Sequence, residues 1–184
     1  KRKFERKLIF MPTSLKKYKG VFQFVELARL IPDFDFLLLC SSGHSEMKNF
    51  FYETNLPENL TLIGKQKSLE KFYREATISI NLSLYDKFIE TFGLTVLESF
   101  DALVPAIAPN YGGPKEIIQD GINGFLVDSY NLTQIRECIQ KITFDFETYK
   151  NFALNTRKRA EDFCKEKFLS GIETILESLG NEID

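Results

Sequence analysis

The sequence predicts an α/β fold, in which a parallel sheet is covered by helices on both faces and followed by a helical tail. Short apolar runs alternate with amphipathic stretches of helix length as far as Asp128, which is the pattern of such a sheet. The 184 residues are 43% hydrophobic and 27% charged, enough to bury the core of one domain. We therefore expect residues 1–184 to form a single domain.

The predicted strands are short apolar runs rich in β-branched and aromatic residues. Each is followed by a polar or glycine-containing loop. We expect strands at Lys7–Met11, Asp35–Cys40, Leu60–Ile63, Thr77–Asn81, Val104–Ala108 and Phe125–Val127.

The predicted helices lie between these strands and beyond the last one. Val21–Leu30 carries an apolar stripe and ends before Pro32, because proline disfavours helix at the preceding residue. Beyond Asp128 the strand signal stops, and we expect residues 130–184 to be a helical tail that packs on this domain or bridges to another. The other helices are expected at His44–Glu53, Leu69–Glu75, Phe92–Ala102, Pro114–Gln119, Leu132–Ile142, Phe146–Phe163 and Phe168–Leu179.

The composition argues against several classes of protein. A formal charge of −2 gives no overall attraction to nucleic acid, and no apolar run reaches the roughly 20 residues that span a bilayer. The scattered thiols of Cys40, Cys138 and Cys164 suggest a reduced, cytosolic protein. His44 is the single histidine, which rules out a metal site built on several imidazoles. We expect neither a bound metal nor a cofactor.

Basic residues crowd the first nineteen positions. We interpret them as a solvated terminus, apart from Lys19, which precedes a glycine at the start of a predicted helix. The remaining members of the group are Lys1, Arg2, Lys3, Arg6, Lys7, Lys16 and Lys17.

Ligands bind open parallel sheets at the carboxyl ends of the strands, beside the point where the strand order reverses. The loops that follow the strands are therefore the places to look for chemistry. They are Pro12–Lys19, Ser41–Ser45, Gly64–Ser68, Leu82–Thr91 and Pro109–Gly113.

The most informative of these loops leads into the helix predicted at Phe92. If Thr91 caps that helix, the amides of Phe92–Leu94 are open to a phosphate, and Gly93 allows close approach. Glu98 lies two turns further, about 10 Å along the axis. A diphosphate at the helix start would place Glu98 near ribose hydroxyls and leave Glu90 at the sugar end.

A glycine pair supplies a second candidate phosphate site. Gly112-Gly113 follows a predicted strand, and Pro114 is suited to the first position of a helix. We expect this second helix start to face the same crevice as the first.

These motifs stand in a fixed order along the chain. They comprise Glu90-Thr91-Phe92-Gly93-Leu94, Glu98, Pro105–Ala108, Gly112-Gly113 with Glu116, and Asp120-Gly121-Ile122-Asn123-Gly124. Together they resemble the signature of the family-four retaining glycosyltransferases, which have the two-Rossmann-domain (GT-B) architecture. Upstream, Lys19-Gly20, Asn59–Gly64 and Tyr73-Arg74-Glu75-Ala76 extend the resemblance.

The resemblance implies that the chain is the Rossmann-like, donor-binding C-terminal half of such an enzyme. Such enzymes transfer a sugar from a nucleotide diphosphate to an acceptor, with retained configuration and no required metal. The donor here is expected to be UDP- or GDP-linked. The missing N-terminal half would bind the acceptor and make any contact with a membrane, so the isolated chain should turn nothing over.

The resemblance also assigns roles to residues. Glu90 approaches the donor sugar, Lys19 neutralises the diphosphate and Glu98 holds the ribose. We expect catalytic roles for Glu90 and Lys19. The expected donor-binding residues are Glu98, Thr91, Phe92, Gly93, Leu94, Gly112, Gly113, Gly64 and Lys65.

One departure stands out. Ser14 occupies the position of the family's usual clamp arginine, for which Lys16 or Lys17 is a candidate substitute. Three alternatives therefore stay open: an inactive nucleotide-sugar-binding module, an epimerase of the same architecture, and a flavodoxin-like domain. The single histidine argues against the epimerase, and the flavodoxin-like domain leaves the paired glutamates unexplained. The abundance of Phe and Lys with no Trp suggests an AT-rich bacterial genome and an acceptor that is a surface glycan or a lipid-linked glycan.

Overall fold

The apolar runs form a parallel sheet in the order β3-β2-β1-β4-β5-β6. A computed structural model describes residues 1–180 and the side chains of residues 1–178. Residues 181–184, the end of the predicted domain and tail, lie outside the described residues. The strands are β1 (Leu8–Thr13), β2 (Asp35–Cys40), β3 (Leu60–Ile63), β4 (Ile78–Ile80), β5 (Ala106–Pro109) and β6 (Gly124–Val127).

Helices connect the strands and continue beyond the last one. Short 3₁₀ segments lie at Lys17–Lys19 and Glu161–Phe163. The α-helices are α1 (Arg2–Arg6), α2 (Val21–Leu30), α3 (His44–Phe50), α4 (Glu70–Glu75), α5 (Leu94–Asp101), α6 (Pro114–Ile117), α7 (Leu132–Ile142), α8 (Phe146–Ala160) and α9 (Lys165–Gly180).

Alternate residues of the strands enter separate cores on the two faces of the sheet. In β1, Ile9 and Met11 pack in the core that also contains residues of α2 and α7. Leu8 and Phe10 pack with residues of α4 on the opposite face. Since successive strand side chains point to opposite faces, this division confirms a sheet with helices on both sides.

The strand order places the reversal point at the centre of the sheet. The chain adds β2 and β3 on one side of β1, and then crosses over to place β4 on the other side. Thr13 ends β1 beside Cys40, and Asn81 leaves β4 with its amide bonded to the carbonyl of Ile107. A crevice is therefore expected where the carboxyl ends of β1 and β4 diverge.

Helix α5 begins two residues later than the sequence predicted. Gly93 is the residue before the helix, with φ of 102°, and no side chain caps this terminus. A right-handed helix cannot include a residue in that conformation, so it starts at Leu94. The prediction that Thr91 caps a helix beginning at Phe92 is wrong.

The N-terminal basic run is not entirely a solvated terminus. Lys3 lies on the short helix α1, and its ammonium donates hydrogen bonds to the carbonyls of Ala102 and Tyr73, the latter at 3.2 Å. Burial, and then the nearby Arg74, lower the pKa of Lys3 to about 8. The expectation of a solvated side chain is wrong for Lys3, because five-residue helices leave little periodic signal.

The helical tail divides into a packed part and an exposed part. Tyr149 and Phe152 of α8 pack in the core shared with α2 and α7, whereas Phe163 packs on the α5 side. In α9 the apolar residues stay exposed, with Phe168 66% and Ile175 59% accessible. Among the described residues, no helix has the length and apolar content that a membrane crossing requires.

Candidate functional site

A cavity of about 500 Å³ opens at the carboxyl ends of the central strands. It lies at the reversal point of the strand order, where open sheets of this type bind ligands. Its wall comes from the ends of β1, β2 and β4, the loop after β3, and the segment that enters α5. The lining residues include Thr13, Ser14, Lys19, Ser41, Lys65, Asn81 and Glu90 through Thr95.

Glu90 and Lys19 form an ion pair inside this cavity. The Lys19 Nζ atom lies 2.5 Å from Glu90 Oε1, and the two side chains are 15% and 21% exposed. The same oxygen accepts a hydrogen bond from the Ser83 hydroxyl at 3.2 Å and one from the Asn81 amide at 3.5 Å. The carboxylate is therefore held by a charge and two neutral donors, away from most of the solvent.

The local chain conformation fixes the position of Lys19. It ends the 3₁₀ segment, and Gly20 follows with φ of 74°, pressed against Leu82 so closely that a Cβ atom would lie 2.1 Å from its carbonyl oxygen. The Lys19 ammonium lies 3.7 Å from the centre of the Phe88 ring, which stacks on Tyr18. An aromatic face attracts a cation, so the ammonium is held by the Phe88 ring as well as by the Glu90 carboxylate.

The start of α5 adds a positive field to the same cavity. The amides of Leu94 and Thr95 donate to no acceptor among the described residues, and both residues line the cavity. Unpaired amides at a helix start carry a partial positive charge and bind anions. Lys19 and the helix terminus thus both contribute positive potential to the cavity.

The glycine pair contacts the loop that carries Glu90. The Gly113 amide donates to the Glu90 carbonyl at 2.8 Å, and a Cβ atom on Gly113 would lie 2.1 Å from the carbonyl oxygen of Phe92. Gly112 has φ of 65°, and a Cβ atom on it would lie 2.2 Å from the carbonyl oxygen of Glu90. Neither glycine lines the cavity, so the pair fixes the loop, and its predicted contact with a donor stays a prediction.

Glu98 lies outside this cavity, on the wall of a second one of about 600 Å³. Leu69 lines both cavities. The Glu98 side chain is exposed, and its Oε2 atom accepts a hydrogen bond from the Tyr73 hydroxyl at 2.9 Å. Burial and the Glu98 carboxylate raise the pKa of Tyr73 far above its ordinary value, so the phenol keeps its proton.

The loop after β3 supplies a second cation. Lys65 lines the first cavity, and its backbone amide donates a hydrogen bond to the Ser42 carbonyl. Gly64 does not line the cavity, and a Cβ atom on it would lie 3.0 Å from the same carbonyl oxygen. Ser14 lines the cavity where an arginine was expected from the resemblance. Lys16 and Lys17 are exposed and lie outside the lining, so Lys65 is better placed than either to support Lys19.

Three residues of the site were missed by the sequence analysis. Asn81 and Ser83 hold Glu90, and they follow the end of β4 directly, which was a usable signal in a sheet that binds ligands at strand ends. Tyr73 holds Glu98 from a different helix, and nothing in the local sequence indicates that contact.

The comparisons with known proteins agree on one family. Residues 1–159 match the family model described as glycosyl transferases group 1. The chain is 26% identical over 174 residues to N-acetyl-alpha-D-glucosaminyl L-malate synthase of Bacillus anthracis, covering 92% of this chain and 45% of that protein. The chain spans about half the length of the first curated relatives that it matches.

Solved structures share the fold. Sucrose-phosphate synthase from Thermosynechococcus elongatus superposes with a TM-score of 0.80 at 21% identity, over 97% of this chain and 47% of that one. HepE from Anabaena in complex with UDP and glucose gives a TM-score of 0.77 at 18% identity, over 95% of this chain and 48% of that one. The Rossmann-like GT-B fold predicted from the sequence is confirmed.

Proposed function

We propose, because the chain belongs to the group 1 glycosyl transferases, that it is the donor-binding part of an enzyme that transfers a sugar from a nucleotide diphosphate to an acceptor. The observation that carries the proposal is the cavity in which the Lys19–Glu90 ion pair faces the open start of α5. A cation and unpaired amides beside a carboxylate suit a ligand with an anionic diphosphate next to a polar sugar.

The diphosphate is placed on Lys19 and on the amides of Leu94 and Thr95, with Lys65 as a second cation. As the bond between the sugar and the diphosphate breaks, negative charge grows on the diphosphate. The interactions with Lys19 and the helix terminus strengthen with that charge, so they lower the barrier instead of merely tightening binding. We propose that the transfer needs no metal ion and retains the anomeric configuration, as the resemblance implies.

Glu90 changes partners when the donor binds. In the free chain its carboxylate neutralises Lys19. A diphosphate that takes over Lys19 leaves Glu90 with its neutral donors, Ser83 and Asn81, and lets the carboxylate face the donor sugar. Glu90 therefore acts at the sugar end of the ligand.

The nucleoside is placed towards the second cavity. Glu98 accepts hydrogen bonds there from the ribose hydroxyls, and the loop from Gly64 to Lys67 lies between the two cavities along the ligand. The donor is UDP- or GDP-linked. The presence of UDP in the HepE complex supports a nucleotide of this kind.

A second candidate is a module that binds nucleotide sugars without transferring them. Ser14 in the cavity wall favours it, since a serine supplies no charge to the leaving diphosphate. Lys65 in the same wall favours the transferase, although a lysine lacks the bidentate geometry of an arginine.

The acceptor and its location belong to the rest of the enzyme. We propose a bacterial surface glycan or a lipid-linked glycan, bound by an N-terminal half that also makes any contact with the inner face of a membrane. The 184-residue chain alone then binds donor weakly and transfers nothing. Transfer by this chain at the rate of the intact enzyme would contradict the proposal.

Calorimetric titration with UDP, GDP and ADP tests donor binding. One nucleotide should bind saturably, with an affinity that a chelator leaves unchanged. Lys17→Ala, at an exposed lysine outside the cavity, is the matched control for Lys19→Ala. If a folded chain binds none of the three nucleotides, or binds one equally well in both variants, the proposed site is wrong.

The intact enzyme tests transfer and stereochemistry. NMR of the product should show the same anomeric configuration as the donor. An inverted product would contradict the retaining mechanism, and nucleotide binding without any product would favour the binding module.

A further inference from the structure

Tyr73 is a buried side chain with a hydroxyl group at the edge of the site. The residue is 2% exposed, and its hydroxyl lies 2.9 Å from Glu98 Oε2 and 3.1 Å from the carbonyl oxygen of Thr95. A phenol has one proton to donate, and both neighbours are acceptors. The ionised acceptor makes the stronger hydrogen bond, so the proton is directed mainly to Glu98.

The ring of Tyr73 is rigidly held. It packs edge-on against Phe10, with ring centroids 5.0 Å apart and planes at 83°. Its own carbonyl accepts the Lys3 ammonium at 3.2 Å. Because Phe10 is a fully buried residue of the central strand, the hydroxyl has a fixed position relative to the sheet.

Glu98, in contrast, is an exposed side chain on the outer face of α5. An exposed glutamate samples several rotamers, and ordering it when a ligand binds lowers the affinity. The bond to Tyr73 fixes one carboxylate oxygen in advance, while Oε1 accepts no hydrogen bond within residues 1–180. Of the other carboxylates in the second cavity, Glu70 is bonded to Arg74 instead.

We propose that Tyr73 is the positioning residue for Glu98, and that it thereby sets the preference of the site for a nucleotide with ribose hydroxyls. The inference rests on the proposed function in taking the ligand to be a nucleoside diphosphate whose ribose hydroxyls bond to Glu98. Tyr73 itself does not touch the ligand. It holds the carboxylate in the orientation that receives the two hydroxyls, so its removal acts through Glu98.

The test compares Tyr73→Phe with wild type, using the nucleoside diphosphate that the chain binds and its 2′,3′-dideoxy analogue. We expect the variant to bind the ribonucleotide roughly two- to tenfold more weakly, because the Glu98 side chain must then be ordered when the ligand binds. Binding of the dideoxy analogue should not change. In a Glu98→Ala background, Tyr73→Phe should have no further effect.

Tyr149→Phe is the matched control. Tyr149 is also buried, and its hydroxyl has no hydrogen-bond partner among the described residues. This variant should bind both nucleotides like wild type. An equal loss for both nucleotides in Tyr73→Phe, or a loss that persists without Glu98, would show a purely structural role and overturn the proposal.

Crystal structures of the unliganded chain separate this inference from the proposed function. Wild type should show the Glu98 carboxylate in one conformer on the Tyr73 hydroxyl, and Tyr73→Phe should show it displaced or in several conformers. A carboxylate that keeps its place in the variant would overturn the positioning role. Because no nucleotide is involved, this result holds even if donor binding fails.

Discussion

Glu90 and Glu98 are eight residues apart in the chain, yet their surroundings differ in kind. Glu90 lies on a loop, is 21% exposed, and is held by Lys19, Ser83 and Asn81. Glu98 lies on a helix, is exposed, and is held by Tyr73 alone among the side chains of residues 1–178. A carboxylate that is shielded from solvent and paired with a cation is suited to a reacting centre where charge develops. An exposed carboxylate is suited to accept hydrogen bonds from the hydroxyl groups of a ligand.

Removing the cation at the Glu90 end should have the largest effect. Lys19→Ala should weaken nucleoside diphosphate binding by about ten- to a hundredfold, because a charged hydrogen-bond donor to the diphosphate is lost. It should also lower the free energy of unfolding by about 1–3 kcal/mol, since Glu90 loses its cation in a partly buried place. Calorimetry and urea unfolding measure the two effects.

The double variant Lys19→Ala/Glu90→Gln separates those effects. It removes the uncompensated carboxylate, so most of the stability should return while binding stays weak. If binding returned with stability, Lys19 would be a structural residue and not a ligand for the diphosphate.

At the other end, Glu98→Ala should be milder and selective. We expect about tenfold weaker binding of the ribonucleotide and no change for the 2′,3′-dideoxy analogue. The free energy of unfolding in urea should fall by no more than about 1 kcal/mol, because the Tyr73 hydroxyl keeps the carbonyl oxygen of Thr95 as an acceptor. Calorimetric titrations with the two nucleotides and a urea unfolding curve measure these effects. Equal losses of affinity for both nucleotides would show that Glu98 does not bind the ribose hydroxyls. The proposed difference in role between Glu98 and Glu90 would then be wrong.

A smaller effect of opposite sign is expected for Glu90→Gln. The glutamine keeps hydrogen bonds to its neutral neighbours but releases Lys19, so nucleoside diphosphate binding should become roughly three- to tenfold tighter. Transfer by the intact enzyme should fall sharply in the same variant. Weaker nucleotide binding would show that the two side chains do not exchange partners.

The smallest effect is expected for Lys3, whose ammonium donates a hydrogen bond to the backbone carbonyl of Tyr73. Its folded pKa of about 8 lies below the ordinary 10.5, so the charged form is disfavoured in the folded chain. Below pH 8 the lysine is protonated in both states and the folded state bears that cost. The cost shrinks between pH 8 and 10.5, as the folded state loses its proton first.

The thermal midpoint of wild type relative to Lys3→Met should therefore rise when the pH is raised from 7 to 10. Lys16→Met, at an exposed lysine, controls for a general effect of charge removal. A difference in thermal midpoint that stays constant or falls as the pH rises would mean that burial does not lower the pKa of Lys3.

The sequence predicted the sheet well, because most of its strands consist mainly of apolar residues, such as the buried residues 36–40 of β2. Helix ends were harder to predict. Gly93 was interpreted as room for a ligand inside the helix, although its positive φ ends the loop before Leu94. The 3₁₀ segment at Lys17–Lys19 and the short α1 carry too few residues for a periodic signal.

The site was predicted by residue but not by contact. Glu90, Glu98 and Lys19 were selected from motifs, yet the ion pair joins residues 71 positions apart. The bond from Tyr73 to Glu98 spans 25 positions and depends on how α4 packs against the sheet. Such contacts arise from tertiary packing, which spacing along one sequence does not encode.

We propose that a single nucleoside diphosphate extends from the Glu90 cavity to Glu98. A crystal structure of this chain with the nucleotide that binds tightest in calorimetry tests it most directly. We predict diphosphate oxygens within hydrogen-bonding distance of Lys19 Nζ and the amides of Leu94 and Thr95, with ribose hydroxyls on Glu98. A nucleotide bound elsewhere, or one whose ribose points away from Glu98, would contradict this mode of binding.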